Sequence, residues 1–415
     1  MVRQFRAGGT IRTFHCYQDC PDVAGPDLQK IVNSALNQLN RLLDDTYNEF
    51  VKKYPKVTRP KLYVYVCEQQ IDEINAFTDG TDIFLSVASM IGMYSYIRER
   101  LDTQKPNGDS VISKGLEVSS EVRVYKNILE LIVAHELTHI WHGHRPWKNA
   151  VLTAAPTYAI NYDDIFSENI SIDNSSEEWV NQELRTADIL SLQVINGKLV
   201  LQNRAEQNYV QQILEVDADC GAICFVLLHL QREIERLIQG INKDSTNDKS
   251  KEIRILIHYH SYLLGLLVGA SGLMCGFFDK RQLGKPFDRL NKLLSSDHPI
   301  HAVRFYKMHA TLLGLVHESN PEEGLAEILL SQTDPFAIDI FAHDDDGKDL
   351  RNCFWAPAQT KEAQEFIVCL ERGWNIIRDS LQTFALLPIP NKYAKEDLQL
   401  DIHSYWYDRD GNLII

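Results

Sequence analysis

Two histidines and a glutamate in the pattern His-Glu-x-x-His carry the strongest chemical signal in this chain. His135 and His139 are four positions apart, so in a helix both imidazoles project from one face, about 5–6 Å apart at Cβ. Two imidazoles at this spacing can bind one zinc ion together with a third protein ligand, and the fourth position stays open for water. Glu136 lies beside them, where its carboxylate can take a proton from that water. The pattern predicts a zinc site for hydrolysis.

A third ligand must come from elsewhere in the chain, because no histidine follows His139 at a distance of six residues. Glu215 is the preferred candidate, since Asp219 follows one helical turn later and can hydrogen-bond a zinc-bound imidazole to fix its tautomer. The alternative is an ordinary acidic helix face, because Glu206 and Asp217 are close in the sequence. The residues alone leave both interpretations open.

Helices, which the periodic spacing of apolar residues indicates, must position these side chains. The spacing of apolar residues predicts helices over about 25–54, 87–101, 119–143, 205–240, 255–278, 299–313 and 360–386. Runs of β-branched and aromatic residues predict short strands at 62–67 and 82–86, and the pair Asn196-Gly197 predicts a hairpin turn. These elements indicate a mainly helical α+β fold with a small mixed β-sheet and a pair of helices that carries the site. His142 and His144 end one helix of this pair, and we expect them at the rim of the site.

The composition argues against several classes of protein. A chain of 415 residues with 44% hydrophobic content can fill a large core. The formal net charge of −15 argues against a nucleic-acid partner, because neutralising phosphates requires clustered Lys and Arg. The basic residues near the N-terminus are not followed by an apolar run, and the eight cysteines are scattered. We therefore expect a cytoplasmic protein with reduced thiols.

The segment 255–278 is the main argument for membrane association. It has no formally charged residue over 24 positions and contains two Gly-x-x-x-Gly patterns, as a membrane-spanning helix can. Polar residues from His258 to Tyr262 dilute its first third, which leaves 16 residues, fewer than the roughly 20 apolar residues that a span needs. We expect a buried core helix here, with membrane association as the alternative.

Four motifs, in the same order along the chain, resemble those of the gluzincin metallopeptidases related to the CAAX prenyl endopeptidase and the heat-shock protease HtpX. The first, Asn75-Ala76-Phe77, is similar to the Asn-Ala-Phe signature ahead of an edge strand, here 83–86. The second is the His-Glu-x-x-His pattern, and the third, which begins at Glu215, resembles Glu-x-x-Ala-Asp. The fourth, from His298 to Arg304, is similar to His-Pro-x-x-x-x-Arg.

The resemblance implies a zincin-like core with one zinc ion as its cofactor. The zinc ligands would be His135, His139 and Glu215, and Glu136 would be the general base. The best-known members of the family carry several membrane helices, whereas this chain has at most one candidate. Prenylated substrates are therefore not implied.

Further residues take their roles from the same resemblance. His298 would donate to the developing oxyanion, and Arg304 would pair with an acid of the site, which we expect to be Asp219. A peptide or protein substrate would lie along the edge strand and add to it by backbone hydrogen bonds. The candidate substrate-binding residues are Asn75, Ala76, Phe77, Ile83, Phe84 and Leu85.

The sequence thus predicts a zinc-dependent endopeptidase with one catalytic core. We expect this core at 61–320 with an insertion at 145–203, between an N-terminal helical segment at 1–60 and a C-terminal helical segment at 321–415. One alternative is a dedicated cleaver of a single intracellular protein, like the phage-exclusion peptidase Lit. Another is a zinc-binding scaffold without turnover.

Overall fold

A computed structural model describes residues 2–7, 10–17, 25–67, 76–102, 120–154, 192–241, 249–278, 299–319, 358 and 360–389. Its helices are α1 (Gly25–Phe50), α2 (Val87–Asp102), α3 (Ser120–Trp141), α4 (His144–Val151), α5 (Arg204–Ile241), α6 (Lys249–Phe278), α7 (His301–Ser319) and α8 (Lys361–Leu381). Its strands are β1 (Val2–Ala7), β2 (Thr10–Cys16), β3 (Leu62–Cys67), β4 (Ala76–Thr78), β5 (Ile83–Ser86), β6 (Leu152–Ala154), β7 (Gln193–Ile195) and β8 (Lys198–Leu201). The expectation of a mainly helical α+β protein is confirmed.

A mixed sheet covers one side of the helices. Over the described residues its order is β1-β2-β3-β5-β4, in which β3 and β5 are parallel and the other neighbouring pairs are antiparallel. Successive side chains of a strand point to opposite faces. Val64 and Ile83 accordingly lie in the main core with the helices, with no exposed surface. On the other face the rings of Tyr63 and Phe77 both stack on Phe84, with centroids 5.3 Å and 5.0 Å away.

Helix α3 lies at the centre of the structure and packs against α1, α2, α5, α6 and the sheet. Because neighbours surround it, its sequence is apolar on most faces and lacks the polar stripe of a surface helix. Val124, Leu129, Val133 and Leu137 are all fully buried. The motif His-Glu-x-x-His therefore lies inside the protein core.

Strand β5 is not an edge strand, contrary to the expectation from the sequence. It pairs in parallel with β3 on one side and antiparallel with β4 on the other, and all of its residues are buried. Over the described residues, β4 (Ala76–Thr78) is the outer strand on this side of the sheet, and β1 is the outer strand on the other side. The prediction is wrong because Ala76 and Phe77, which the sequence placed ahead of the strand, are themselves extended and pair with Leu85 and Phe84.

The first 60 residues contribute strands as well as the predicted helix α1. Strand β2 pairs with β3 and thereby extends the sheet of the predicted core. The strand signal in this segment is the group of β-branched residues Thr10, Ile11 and Thr13. The predicted N-terminal helical segment thus contains two strands in addition to its helix, and the domain boundaries at 60 and 320 stay predictions.

A second, smaller sheet of order β6-β8-β7 follows α4. The predicted hairpin is confirmed: Asn196 and Gly197 have φ angles of 51° and 75°, as the two central residues of a type I′ turn require. Leu199 and Leu201 of β8 are buried in a cluster with residues of α4, α5 and α8. The described part of the predicted insertion thus packs against the helices that carry the site.

Helix α6 contains the segment that raised the question of membrane association. Leu263, Leu264, Leu267 and Ala270 are at most 1% exposed, and the helix packs against α3 and α7. None of the helices within the described ranges is both long enough and apolar enough to cross a bilayer. These four apolar side chains therefore lie within the core of the described structure.

Candidate metal centre

The helix α3 presents the two histidines and the glutamate of the motif from within the core. His135 is 8% exposed, Glu136 is 4% exposed and His139 is 9% exposed. Burying three polar side chains among apolar ones costs free energy unless they are hydrogen-bonded or bind an ion. Their partners therefore decide what the site can do.

The structure brings His135, His139 and Glu215 together, as the sequence predicts. The Nε2 atoms of the two histidines are 3.1 Å apart. A carboxylate oxygen of Glu215 lies 3.1 Å from Nε2 of His135, and the other lies 3.6 Å from Nε2 of His139. Two ligands of a tetrahedral zinc ion with bonds of about 2.0–2.1 Å are about 3.3 Å apart. This donor set therefore fits zinc in both chemistry and spacing.

Helix α5 can bring Glu215 to the histidines because it approaches α3 closely at Gly221. A Cβ atom on Gly221 would lie 2.5 Å from both Cγ2 and Oγ1 of Thr138, so only glycine fits there. Thr138 is fully buried, and its hydroxyl donates to the carbonyl of Ala134 at 2.9 Å, which fixes its rotamer. Thr138 precedes His139, and Gly221 lies less than two turns after Glu215, so this contact sets the distance between the two helices close to the predicted ligands.

His135 is oriented by a buried carboxylate. Its Nδ1 lies 2.9 Å from Oδ1 of Asp219, which places the proton on Nδ1 and leaves the lone pair of Nε2 for a metal. Burial opposes the charged imidazolium, but hydrogen bonds and charges of Asp219 and Glu215 raise the pKa of His135 to about 10. A proton and a metal ion therefore compete for this imidazole.

The pairing of Arg304 with Asp219 that the sequence predicts is present. Nε of Arg304 donates to Oδ2 of Asp219 and Nη2 donates to Oδ1, each at 2.8 Å. Burial raises the pKa of this carboxyl, but the charge and hydrogen bonds of Arg304, followed by those of His135, lower it to about 2. Asp219 is thus an anion that holds His135 on one side and is itself held from α7.

His139 is also oriented, by residues to which the sequence assigned no such role. Its Nδ1 lies 2.6 Å from Nδ1 of His144, whose Nε2 lies 2.8 Å from Oδ2 of Asp217. The same oxygen is 2.6 Å from Nδ1 of His142. Burial is the main cause that lowers the pKa of His144, to about 3. Burial raises the pKa of Asp217, but the charge and hydrogen bonds of His142 and the bonds of His144 hold it below its usual range.

The expectation that His142 and His144 lie at the rim is therefore wrong. They are 4% and 1% exposed, and a turn at Gly143 between α3 and α4 places them there. Gly143 has a φ of 70°, and a Cβ atom there would lie 2.4 Å from the carbonyl oxygen of Phe384. The sequence carries a signal for this arrangement, because Asp217 lies between two apolar residues of a buried helix. A carboxylate buried there needs a buried partner.

Glu215, the predicted third ligand, has its own support. Nε2 of Gln211 donates to Oε1 of Glu215 at 2.7 Å, and Nζ of Lys148 donates to Oε1 of Gln211 at 3.0 Å. Gln211 lies one turn before Glu215 on α5, whereas Lys148 comes from α4. The carboxylate of Glu215 is thus held in one orientation by side chains outside the candidate metal site.

The remaining predicted residues are only partly described. Asn75 and His298 lie outside the described residues. Ala76 and Phe77 form part of the edge strand β4, which packs against α3. The turn after β4 lies close to α4, because a Cβ atom on Gly80 would be 3.2 Å from Cδ of Arg145. The described end of the sheet therefore neighbours the helices of the site.

Comparison with known proteins identifies two relatives with the same name. The chain is 28% identical over 229 residues to the "Protease HtpX homolog" of Helicobacter pylori strain J99. It is 27% identical over 229 residues to the protein of that name from strain Shi470. The chain is similar to the HtpX homologues. In both cases the alignment covers 55% of this chain and 59% of the relative.

The similarity to the HtpX homologues agrees with the family resemblance of the four motifs. It covers little more than half of each protein, so the chain spans about three fifths of the length of these relatives. No protein-family model and no solved structure matches the chain. The assignment of a zincin-like core therefore depends on the site itself.

Proposed function

We propose that this chain is a zinc-dependent endopeptidase with a zincin-like core. The observation that carries the proposal is the donor set of His135, His139 and Glu215, in which each ligand has its own supporting hydrogen bond. Two imidazoles and one carboxylate from two helices are the ligands of a zinc site with a position left for reaction. The name of the HtpX homologues supports a protease.

The side chains around these ligands have distinct tasks in hydrolysis. When bound, zinc supplies Lewis acidity that polarises a peptide carbonyl and makes water more acidic. Glu136, next to His135 on α3, accepts a proton from the attacking water and passes it to the leaving amine. Asp219, anchored by Arg304, holds the Nδ1 proton of His135 so that Nε2 faces the metal. The role of His298 as oxyanion donor stays a prediction.

The substrate would bind along β4. Among the described residues, β4 has a strand on one side only, so its other side can accept an extended peptide by backbone hydrogen bonds. Phe77 stacks on Phe84, and Ile83 and Leu85 are fully buried. These side chains hold the strand in place, whereas the backbone of Ala76–Thr78 would contact the peptide.

Replacing Glu136 with Gln tests this function. The protein, loaded with zinc, is incubated with a peptide library made from a digested cell extract, and new termini are counted by mass spectrometry. Loss of the general base lowers the cleavage rate by about 10²–10⁴-fold. Zinc content is unchanged, because Glu136 is not one of the three donors.

Glu130→Gln is the matched control, since Glu130 is a buried glutamate of the same helix that is bonded to Gln38. It keeps its cleavage activity. Equal activity of Glu136→Gln and the wild type, with zinc bound, would favour a zinc-binding scaffold. Cleavage of a single protein in an undigested extract, with no cleavage of the library, would favour the dedicated cleaver.

A further inference from the structure

The described residues contain two groups that could hold a metal ion. One is the site of His135, His139 and Glu215, and the other consists of His142, His144 and Asp217. All six residues are buried. The two groups are joined by the contact of 2.6 Å between the Nδ1 atoms of His139 and His144. The state of one group therefore constrains the other.

The joining contact contains one proton. Two imidazole nitrogens at 2.6 Å require one N–H donor and one lone pair. A zinc ion on Nε2 of His139 needs the lone pair of that atom, so the proton of neutral His139 must be on Nδ1. His139 then donates to His144, whose own proton must be on Nε2. That proton points to Asp217 at 2.8 Å, an acceptor that matches it.

A metal ion in the second group would reverse this order. It would require the lone pair of Nε2 of His144, which places the proton on Nδ1. His144 would then donate to His139, whose proton would move to Nε2 and block the zinc position. The contacts of 2.6 Å and 2.8 Å between Asp217 and the imidazoles are also shorter than the separation of about 3.3 Å between two ligands of tetrahedral zinc.

We propose that His144 and Asp217 are positioning residues that hold His139 in its zinc-binding tautomer, and that their group is not a second metal site. The inference rests on the proposed zinc site. Asp219 orients His135 by a direct contact with its Nδ1. Asp217 orients His139 in the same way, but through the imidazole of His144. Both histidine ligands are thus connected to buried carboxylates of α5.

The proposal is tested by the zinc affinity of three variants, which is measured by competition with a chromophoric chelator. His144→Leu removes the acceptor for Nδ1 of His139, and we expect an affinity 10–100-fold lower, the usual effect of losing a partner of a metal ligand. His144→Asn retains an acceptor oxygen close to the position of Nδ1, so most of the affinity returns. His142→Leu is the matched control, because His142 bonds the same oxygen of Asp217 without a bond to His139. Its zinc affinity should fall by clearly less than the roughly 10–100-fold expected for His144→Leu.

A purely structural role would lower the affinity equally in His142→Leu and His144→Leu, and this result would overturn the proposal. Two equivalents of zinc in the wild type, with one lost in His142→Leu, would also overturn it. If His144→Leu does not fold, the ring ¹⁵N shifts of the zinc-loaded wild type decide. They are expected to show His139 protonated on Nδ1 and His144 on Nε2, and the opposite pair contradicts the proposal. Absence of zinc from the wild type would instead refute the proposed function.

Discussion

Substitution of Gly221 by Ala should weaken zinc binding although it adds helix propensity. The added methyl group would lie 2.5 Å from Cγ2 and Oγ1 of Thr138, whereas carbon atoms prefer a separation of about 3.5–4.0 Å. Because Thr138 is fixed by its bond to Ala134, α3 and α5 must separate by about 1 Å. Glu215 lies on one of these helices and His135 on the other, so the donor set is widened.

The expected magnitudes follow from two opposing effects. Overpacking a dense core costs about 1–3 kcal/mol, and Ala in place of Gly within a helix contributes about 1 kcal/mol. The free energy of unfolding of Gly221→Ala should therefore fall by about 0–2 kcal/mol. Zinc affinity does not benefit from helix propensity, and we expect it to fall by about 10–100-fold, as when the support of a metal ligand is lost.

A double-mutant cycle with Thr138→Ala tests whether the clash between the side chains of residues 138 and 221 causes these losses. Removing Cγ2 and Oγ1 leaves the Cβ of residue 138, which would be 3.0 Å from the new methyl group, so most of the clash is relieved. Gly221→Ala with Thr138→Ala should bind zinc more tightly than Gly221→Ala alone and be more stable than the sum of the single changes predicts, by about 1 kcal/mol or more. Urea unfolding of the metal-free protein and chelator competition measure the two quantities. Zinc affinity of Gly221→Ala equal to that of the wild type, or strict additivity in the cycle, would refute the reasoning.

Two further predictions concern α7. Arg304→Met leaves the carboxylate of Asp219 buried without its cation and should lower the free energy of unfolding by about 3–5 kcal/mol in urea. Lys307→Met on the same helix should change it by less than about 1 kcal/mol, because its partner Glu371 is 56% exposed. His309 is 2% exposed, and burial lowers its pKa from 6.5 to about 4. On acidification, His309 is therefore protonated in the unfolded chain at a higher pH than in the folded protein. The contribution of neutral His309 to the free energy of unfolding is fully present above about pH 6.5 and falls by about 3 kcal/mol toward pH 4. In His309→Phe this part of the pH dependence, followed by urea unfolding, should be absent.

Each of these predictions can be contradicted by its control. Equal losses of stability in Arg304→Met and Lys307→Met would show that α7 tolerates no methionine, so that the ion pair with Asp219 is not the cause. A pH profile of His309→Phe that parallels the wild type between pH 4 and 6.5 would show that His309 is protonated in the folded protein. Both series use the metal-free chain, so neither depends on the proposed zinc ion.

Much of the site could be predicted from the sequence because its spacing is helical. His135 and His139 are four positions apart, as are Glu215 and Asp219, and this spacing places each pair on one face of a helix. The chemistry of the side chains then suggests which atoms meet a metal, and the structure brings Glu215 and Asp219 to His135. The long apolar helices were predictable for the same reason, since their periodicity is local.

The edge of the sheet could not be predicted in the same way. Strand pairing joins residues that are distant in sequence, and a segment of three residues such as Ala76–Thr78 carries almost no periodic signal. Only its pairing with β5 shows that it is a strand and that Ile83–Ser86 is interior. The strand proposed to bind the substrate is therefore β4, which lies next to the predicted strand β5.

The sequence by itself determined the chemistry of the centre: two imidazoles, a neighbouring base, and a helix with acids at one-turn spacing. The tertiary structure decided which acid serves which histidine. Glu215, Asp217 and Asp219 occupy every second position, so a helix directs Asp217 away from the other two. The turn at Gly143 brings His144 to Asp217, and the close contact at Gly221 brings α5 to α3. Both depend on backbone approach between distant segments, which no local pattern of side chains encodes.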